Sequence, residues 1–283
     1  MLVPMKSAFA SLVLLTVLIG ALLGAPAVPA VEAAEDGKDA KDKPAPTEAA
    51  RKNAIKGLKS KISKMAKSAH AERKTAEILE ALEALEALGG KEAGRAAMYA
   101  VPHPAEQVRD KAFELIEKEN DKSFVKPLVQ MLEDKRYRRD PDAKRRIAHA
   151  LAVIAQPTAI EPLSELIRFD EDPEVVAEVA DALATFATAK VALRKPAVKR
   201  LVDLYESTWN LKESVRQDHK DKILKKEAQD RYKVYGKPLR HALQALTGVQ
   251  LTRPAEWRRW WNSNKKRNKW GRHSVMPKER RGG

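Results

Sequence analysis

Between residues 89 and 207, apolar positions recur at helical spacing in segments that themselves repeat about every 32 to 37 residues, with prolines recurring in step. Self-similarity of that period predicts a stack of helical pairs, a solenoid. One register is a first helix carrying an internal proline, in Lys126-Pro127-Leu128, Glu161-Pro162-Leu163 and Lys195-Pro196-Ala197. The other opens the second helix of each pair. There His103-Pro104, Asp140-Pro141 and Asp172-Pro173 place proline in the first turn, and two of the three put aspartate at the N-cap. The pattern predicts helices over 91–101 and 106–119, 122–132 and 142–154, 159–169 and 174–186, then 191–205. Each is too short to persist alone in water, so stacking must supply stability, at roughly 1.5 to 3 kcal/mol per large apolar side chain buried.

The flanks read differently. Residues 51–74 are strongly basic yet carry Ile55, Leu58, Ile62 and Met65 at helical spacing. This predicts a basic amphipathic helix, either an end cap with a solvated cationic face or a helix that touches lipid or polyanion. Residues 77–88 form an acidic-faced helix stopped by Gly89-Gly90. After Tyr205 the period breaks: 210–235 is charged with sparse apolar residues, an inserted helix or an extended arm, before 239–246 resumes an apolar helix ending at Thr247-Gly248. Trp257, Trp260 and Trp261 share one face of a short helix entered through Pro254, which suits either a buried end cap or an exposed platform for sugars or bases. The remainder, 262–283, with Lys265, Lys266, Arg267, Lys269 and Arg272, is expected to be a disordered cationic arm, with Trp270 outside the core.

The second-helix segments Val108-Arg109-x-x-Ala112-x-x-Leu115-Ile116, Ala143-Lys144-x-x-Ile147-x-x-Ala150-Leu151 and Val175-Val176-x-x-Val179-x-x-Ala182-Leu183 follow proline-bearing helices, and over about 91–207 the chain resembles HEAT repeats. The resemblance implies an all-α solenoid of roughly four to five helical pairs with a tryptophan-rich C-terminal capping helix. It also implies a ladder pairing an aspartate before each second helix with a basic residue inside it. Asp140, Asp172, Arg109 and Lys144 fit that ladder and Val176 departs from it. Ala245-Leu246-Thr247-Gly248 followed by Trp257-Arg258-Arg259-Trp260-Trp261 resembles the C-terminal cap of exported bacterial HEAT-repeat proteins, a likeness that implies architecture and little about activity.

The N-terminal residues change the expected location. Lys6, an uncharged run over 7–23 and the small residues of Gly24-Ala25-Pro26-Ala27-Val28-Pro29-Ala30 read as a signal peptide cleaved after Ala27, Ala30 or Ala34; the other reading is an inner-membrane anchor formed by 7–23. The expected division is a signal peptide 1–30, a flexible linker 31–50, a solenoid 51–250 containing the charged insertion 210–235, and a cap with basic tail 251–283. An exported protein, periplasmic or extracellular, follows. Without cysteine it is held by its core and not by disulfides, and a formal charge of +15 favours anionic partners or surfaces.

Candidate chemistry is confined to binding. The loop Lys135, Arg136, Tyr137, Arg138, Arg139 with Lys144, Arg145 and Arg146 gathers cations around one tyrosine, an arrangement suited to an anion, or else the solvated start of a helix. No catalytic residue, metal site or cofactor is expected: the six histidines lack metal-ligand spacing and there is no cysteine nucleophile or phosphate-cradling glycine loop. The primary expectation is a non-enzymatic scaffold with a protein partner on its concave surface, without a small-molecule substrate. The alternative is polyanion binding by the loop and tail, to nucleic acid, acidic polysaccharide or lipid headgroups.

Overall fold

A computed structural model describes residues 47–68, 70–137, 139–213 and 219–271, with side chains for all of these except 219–221. The expected signal peptide and nearly all of the expected linker lie outside the described residues, as do Arg138 and Arg272. Helices account for the fold, and no strand occurs among the described residues.

The helices are α1 (Glu48–Ala66), α2 (Thr75–Leu88), α3 (Gly90–Ala97), α4 (Glu106–Glu119), α5 (Val125–Glu133), α6 (Pro141–Ile154), α7 (Ile160–Phe169), α8 (Pro173–Ala184), α9 (Val191–Lys212), α10 (His219–Thr247) and α11 (Pro254–Asn264). They pack as five consecutive pairs, α1 with α2 through α9 with α10, and α11 closes the end against α9. The second helices α2, α4, α6, α8 and α10 each touch the next in line. One continuous apolar core results, running from Ile55 and Ile62 through Leu115, Leu128, Leu151, Leu163 and Leu183 to Leu243 and Trp260. This is the all-α, solenoid-like stack that the repeat period predicts.

Local sequence explains the boundaries, and several differ from expectation. Helix α1 begins at Glu48, capped by the Thr47 hydroxyl, which accepts from the Ala50 amide at 3.3 Å, so ordered structure starts inside the expected linker. With α2 it forms a full first pair. Pro127 and Pro162 are not deep in their helices. Each is the third residue of α5 or α7, just after a 3₁₀ turn, where a missing amide donor leaves no hydrogen bond unmade. Pro196 alone of the three lies further in, within α9. Pro141 and Pro173 do open α6 and α8 behind the N-caps Asp140 and Asp172, but Pro104 precedes the N-cap Ala105 of α4 and lies in the loop. The cause is His103, which is fully buried. Its Nδ1 accepts from the Ala105 amide at 3.1 Å, which leaves Nε2 to donate to the Ala71 carbonyl at 2.9 Å and staple the second pair's loop to the first.

Close approach is possible where side chains are smallest. Gly94 in α3 lies under the Phe124 ring, and a Cβ on it would sit 2.6 Å from that ring. Phe124 belongs to the next pair and is fully buried, so this glycine sets the spacing between neighbours.

The charged stretch 210–235 is no separate insertion. It consists of the end of α9, residues 214–218 outside the described set, and the first half of α10, which continues unbroken through Pro238 to Thr247. The two helices fold back on each other: Tyr232 stacks on Tyr205 with ring centroids 6.0 Å apart, meets Trp209 edge-on, and the Tyr235 hydroxyl lies 3.0 Å from that of Thr208.

Trp257 and Trp260 are fully buried and Trp261 nearly so. Trp270, expected outside the core, joins them with 7% exposure. It meets Trp260 and Trp261 edge-on, and its ring nitrogen donates to the Asn264 carbonyl. The tail is therefore ordered at least to Gly271, whose Cα comes within contact range of Gly248 at the end of α10. Arg258 ties the cap to α9 through Asp203 at 2.6 Å and Glu206 at 2.7 Å.

Replacing Gly94 with alanine is expected to destabilise the chain by about 1 to 3 kcal/mol through overpacking against Phe124. A denaturant titration checks this; an unchanged midpoint would remove the close contact from the account.

Candidate functional site

The second helices present one face to solvent, and charged pairs bridge each helix to the next along it. Lys111 and Lys118 of α4 hold Glu86 of α2 at 2.7 and 2.9 Å, and these two ammonium groups bring the Glu86 carboxyl down to about 2. Arg146 of α6 lies 3.2 Å from Asp110 of α4, with its guanidinium over the Phe113 ring. His149 of α6 meets Glu178 of α8 at 3.2 Å, and His241 of α10 meets Asp181 of α8 at 3.2 Å. Solvent-exposed pairs of this kind add only tenths of a kcal/mol each to stability. Their consequence is orientation: long side chains on neighbouring repeats are held in a fixed order of sign.

Where α4, α6 and α8 come together these residues line a groove of about 240 Å³, bounded by Glu106, Arg109, Asp110, Arg145, His149 and Glu178, with Asp142 and Arg146 completing it. Three arginines face four carboxylates, so the lining is mixed in sign and close to neutral. Arg145 pairs with Asp142 through its outer nitrogen, while its Nε is buried with no hydrogen-bond acceptor among the described residues. Glu117, beside Arg146 and His149, has a buried carboxylate oxygen that is likewise unpartnered, and burial pushes its carboxyl above the ordinary range.

The expected cationic loop does not form one site. Lys135 is exposed, and Arg136 turns back to chelate Asp134, with contacts of 3.2 Å to one carboxylate oxygen and 2.7 Å to the other. That guanidinium brings the Asp134 carboxyl down to about 2. Tyr137, the tyrosine around which these cations are expected to gather, is buried at 4% exposure. Arg139 lines a different groove, beside Glu161, Glu165 and Asp170. Lys144 is buried and donates to Asp170 at 2.6 Å, while Arg145 and Arg146 point into the groove of the second helices. A run of cations in sequence is thus divided among three surfaces: Arg136 and Arg139 diverge in the loop before α6, and within α6 successive side chains turn around the helix axis.

The expected aspartate ladder is also rearranged. Asp140 and Asp172 use their carboxylates on the amides that open α6 and α8. Arg109 donates to the His103 and Pro104 carbonyls of its own loop. Among the described residues the buried rung is Lys144 with Asp170, two residues before the predicted partner and largely shielded from water, so neither charge could lose the other without a penalty of about 3 to 5 kcal/mol.

The capping tryptophans are core and not platform; their ring N–H groups at Trp257 and Trp260 find no acceptor among the described residues, so area and ring geometry hold them. Lys265, Lys266, Arg267 and Lys269 are exposed on the turn that leads to Trp270. Among the described residues no group of three histidine, aspartate or glutamate side chains could hold a metal ion, and no helix is long and apolar enough to cross a membrane.

Fold and surface together define a helical-repeat solenoid with a charged, pre-ordered face along its second helices. Residues 136–217 match the sequence family described as HEAT repeats, a stretch that takes in α6 to α9 and so supports the resemblance read from the repeat segments. A comparison with curated proteins finds no match to this chain.

Because burial raises the Glu117 carboxyl in the folded chain, protonation is favoured by folding, and stability declines as pH rises from the unfolded-state value through the folded one. Glu117→Gln is expected to raise the unfolding midpoint at pH 7 and to leave it nearly unchanged at about pH 3.5, below the ordinary glutamate pKa. Denaturant melts at the two pH values check the sign; an equal shift at both would assign the effect to packing.

Proposed function

We propose that this chain is an exported, non-enzymatic scaffold whose second-helix face holds a protein partner. The observation that supports this most is the groove spanning α4, α6 and α8: it crosses three successive repeats and is lined by alternating charges held in place by helix-to-helix pairs. Small, polar and open, it lacks the apolar enclosure of a small-molecule pocket. Mixed charge suits a folded or extended protein surface of complementary pattern, and repeated helical pairs are commonly used for such contacts. Export is supported by the leader-like pattern from Lys6 to Ala30, and residence in the cell envelope follows from it.

A second reading has its own observation. Lys265, Lys266, Arg267 and Lys269 are exposed together beyond the cap, and the chain carries +15 overall, so an anionic polymer or membrane surface is the alternative partner.

A photo-crosslinking residue placed at Glu106 on the proposed face, and separately at Lys126 on an exposed first-helix position, distinguishes the readings in envelope extract. The scaffold reading expects a discrete protein adduct from position 106 that forms at about 0.3 M salt, where exposed charge attraction is screened, and is lost with Arg145→Glu and Arg146→Glu together. Adducts equal from both positions, or only anionic polymer retained at low salt, would contradict it.

A further inference from the structure

On the opposite side of the first three pairs, α1, the 3₁₀ turn Met98–Ala100 and α5 enclose a larger groove of about 780 Å³ whose chemistry is of another kind. Its apolar lining is Met98, Tyr99, Pro102, Pro127 and Met131, and Tyr99 is 39% exposed, one of the few large apolar side chains left open to solvent. Its charged lining is Lys59, Lys67, Arg95 and Arg136, with no carboxylate among them. A smaller cleft shares Lys59 and Arg95 and continues the basic surface to Lys52 and Lys56, with Glu92 its sole acidic member. The cations are ordered: Lys59 lies 4.8 Å over the Tyr99 ring, and Arg136 sits over the Tyr137 ring with its Nε and Nη2 edge fixed by Asp134.

One further group lining this groove has nothing to bond: Tyr137 Oη is buried and has no hydrogen-bond partner among the described residues. An unpaired buried hydroxyl costs stability unless something else satisfies it, and burial also pushes the Tyr137 phenol up, keeping it a proton donor at neutral pH.

We propose that this groove binds an acidic segment of a partner protein, seating an apolar side chain on Met98, Tyr99 and Met131 while carboxylates meet Lys59, Lys67, Arg95 and Arg136 and a backbone carbonyl or carboxylate accepts from Tyr137 Oη. Charge complementarity calls for an anion and the apolar floor calls for an amphipathic one. The Tyr137 hydroxyl selects between amphipathic anions: a lipid acyl chain laid on the floor leaves it unpaired, whereas a peptide carries an acceptor at every residue. This surface is separate from the second-helix face, and its occupancy does not depend on that proposal.

The test is fluorescence anisotropy of the full chain with a labelled peptide of about twelve residues alternating glutamate and leucine. Comparisons are the same peptide with serine for leucine, the same with lysine for glutamate, and phosphatidylglycerol vesicles as competitor. Saturable binding is expected for the glutamate–leucine peptide alone. Lys67→Glu and Tyr99→Ala, both at exposed positions, are each expected to weaken it at least tenfold. Tyr137→Phe is expected to weaken it about three- to tenfold, the effect of one hydrogen bond, while leaving the melting midpoint unchanged or higher because the hydroxyl has no partner in the free chain. Equal binding of the serine peptide would reduce the surface to charge attraction. Displacement of the peptide by vesicles that themselves bind more tightly would make the occupant a membrane. No saturable binding, or unchanged affinity in Lys67→Glu and Tyr137→Phe, would overturn the proposal.

Discussion

No helical pair in this chain can bury its own apolar face, and the rest of the structure follows from that constraint. Helices α3, α5 and α7 have eight to ten residues, below the length at which a helix holds together alone in water. Each pair is stable because the next one covers it, and contact between non-neighbours is unnecessary. The places where pairs meet are accordingly the places of tightest chemistry: Gly94 beneath Phe124, His103 bonded to the Ala71 carbonyl, and Lys144 closed onto Asp170. At the α9–α10 pair the cover comes from a different source than a following repeat. Trp257, Trp260, Trp261 and Trp270 supply it from within the chain, and Arg258 fastens them to α9.

Stacking also creates the surfaces. Once the second helices lie side by side, their outward charges must face one another, and the pairs Lys111–Glu86, Arg146–Asp110, His149–Glu178 and His241–Asp181 give that face a fixed sequence of signs. The first-helix side obeys the same rule with different residues. There the basic α1 leaves Lys59 and Lys67 over an apolar floor with few carboxylates nearby. The net charge of the chain is unevenly spread, concentrated from α9 to the basic stretch after the cap, with a smaller local excess on α1, while the groove between α4, α6 and α8 is nearly neutral.

Much of this architecture could be read from periodicity. The span of α4 matches the apolar pattern residue for residue, and Asp140-Pro141 and Asp172-Pro173 mark the starts of α6 and α8 because cap chemistry is local. What could not be read depends on contacts between distant residues. Pro104 resembles its counterparts in sequence, yet the buried His103 holds it in a loop. Trp270 lies among cations and looks like tail, but a turn after α11 returns it to Trp260. Arg136, Lys144 and Arg145 look like one cluster, since sequence proximity hides the loop and the helical rotation that send them to different grooves. The unpartnered Tyr137 hydroxyl has no sequence signature at all; only the packing around it shows what is missing.

Nearest-neighbour stacking is the central claim, and amide hydrogen exchange on a chain ending before Pro254 tests it most directly. Removal of α11 uncovers the last pair alone, so protection is expected to fall strongly in α9 and α10, to fall less in α8, and to stay near its original level in α1 and α2. A uniform loss of protection from α1 to α10 would show a single cooperative core instead, and would contradict the account.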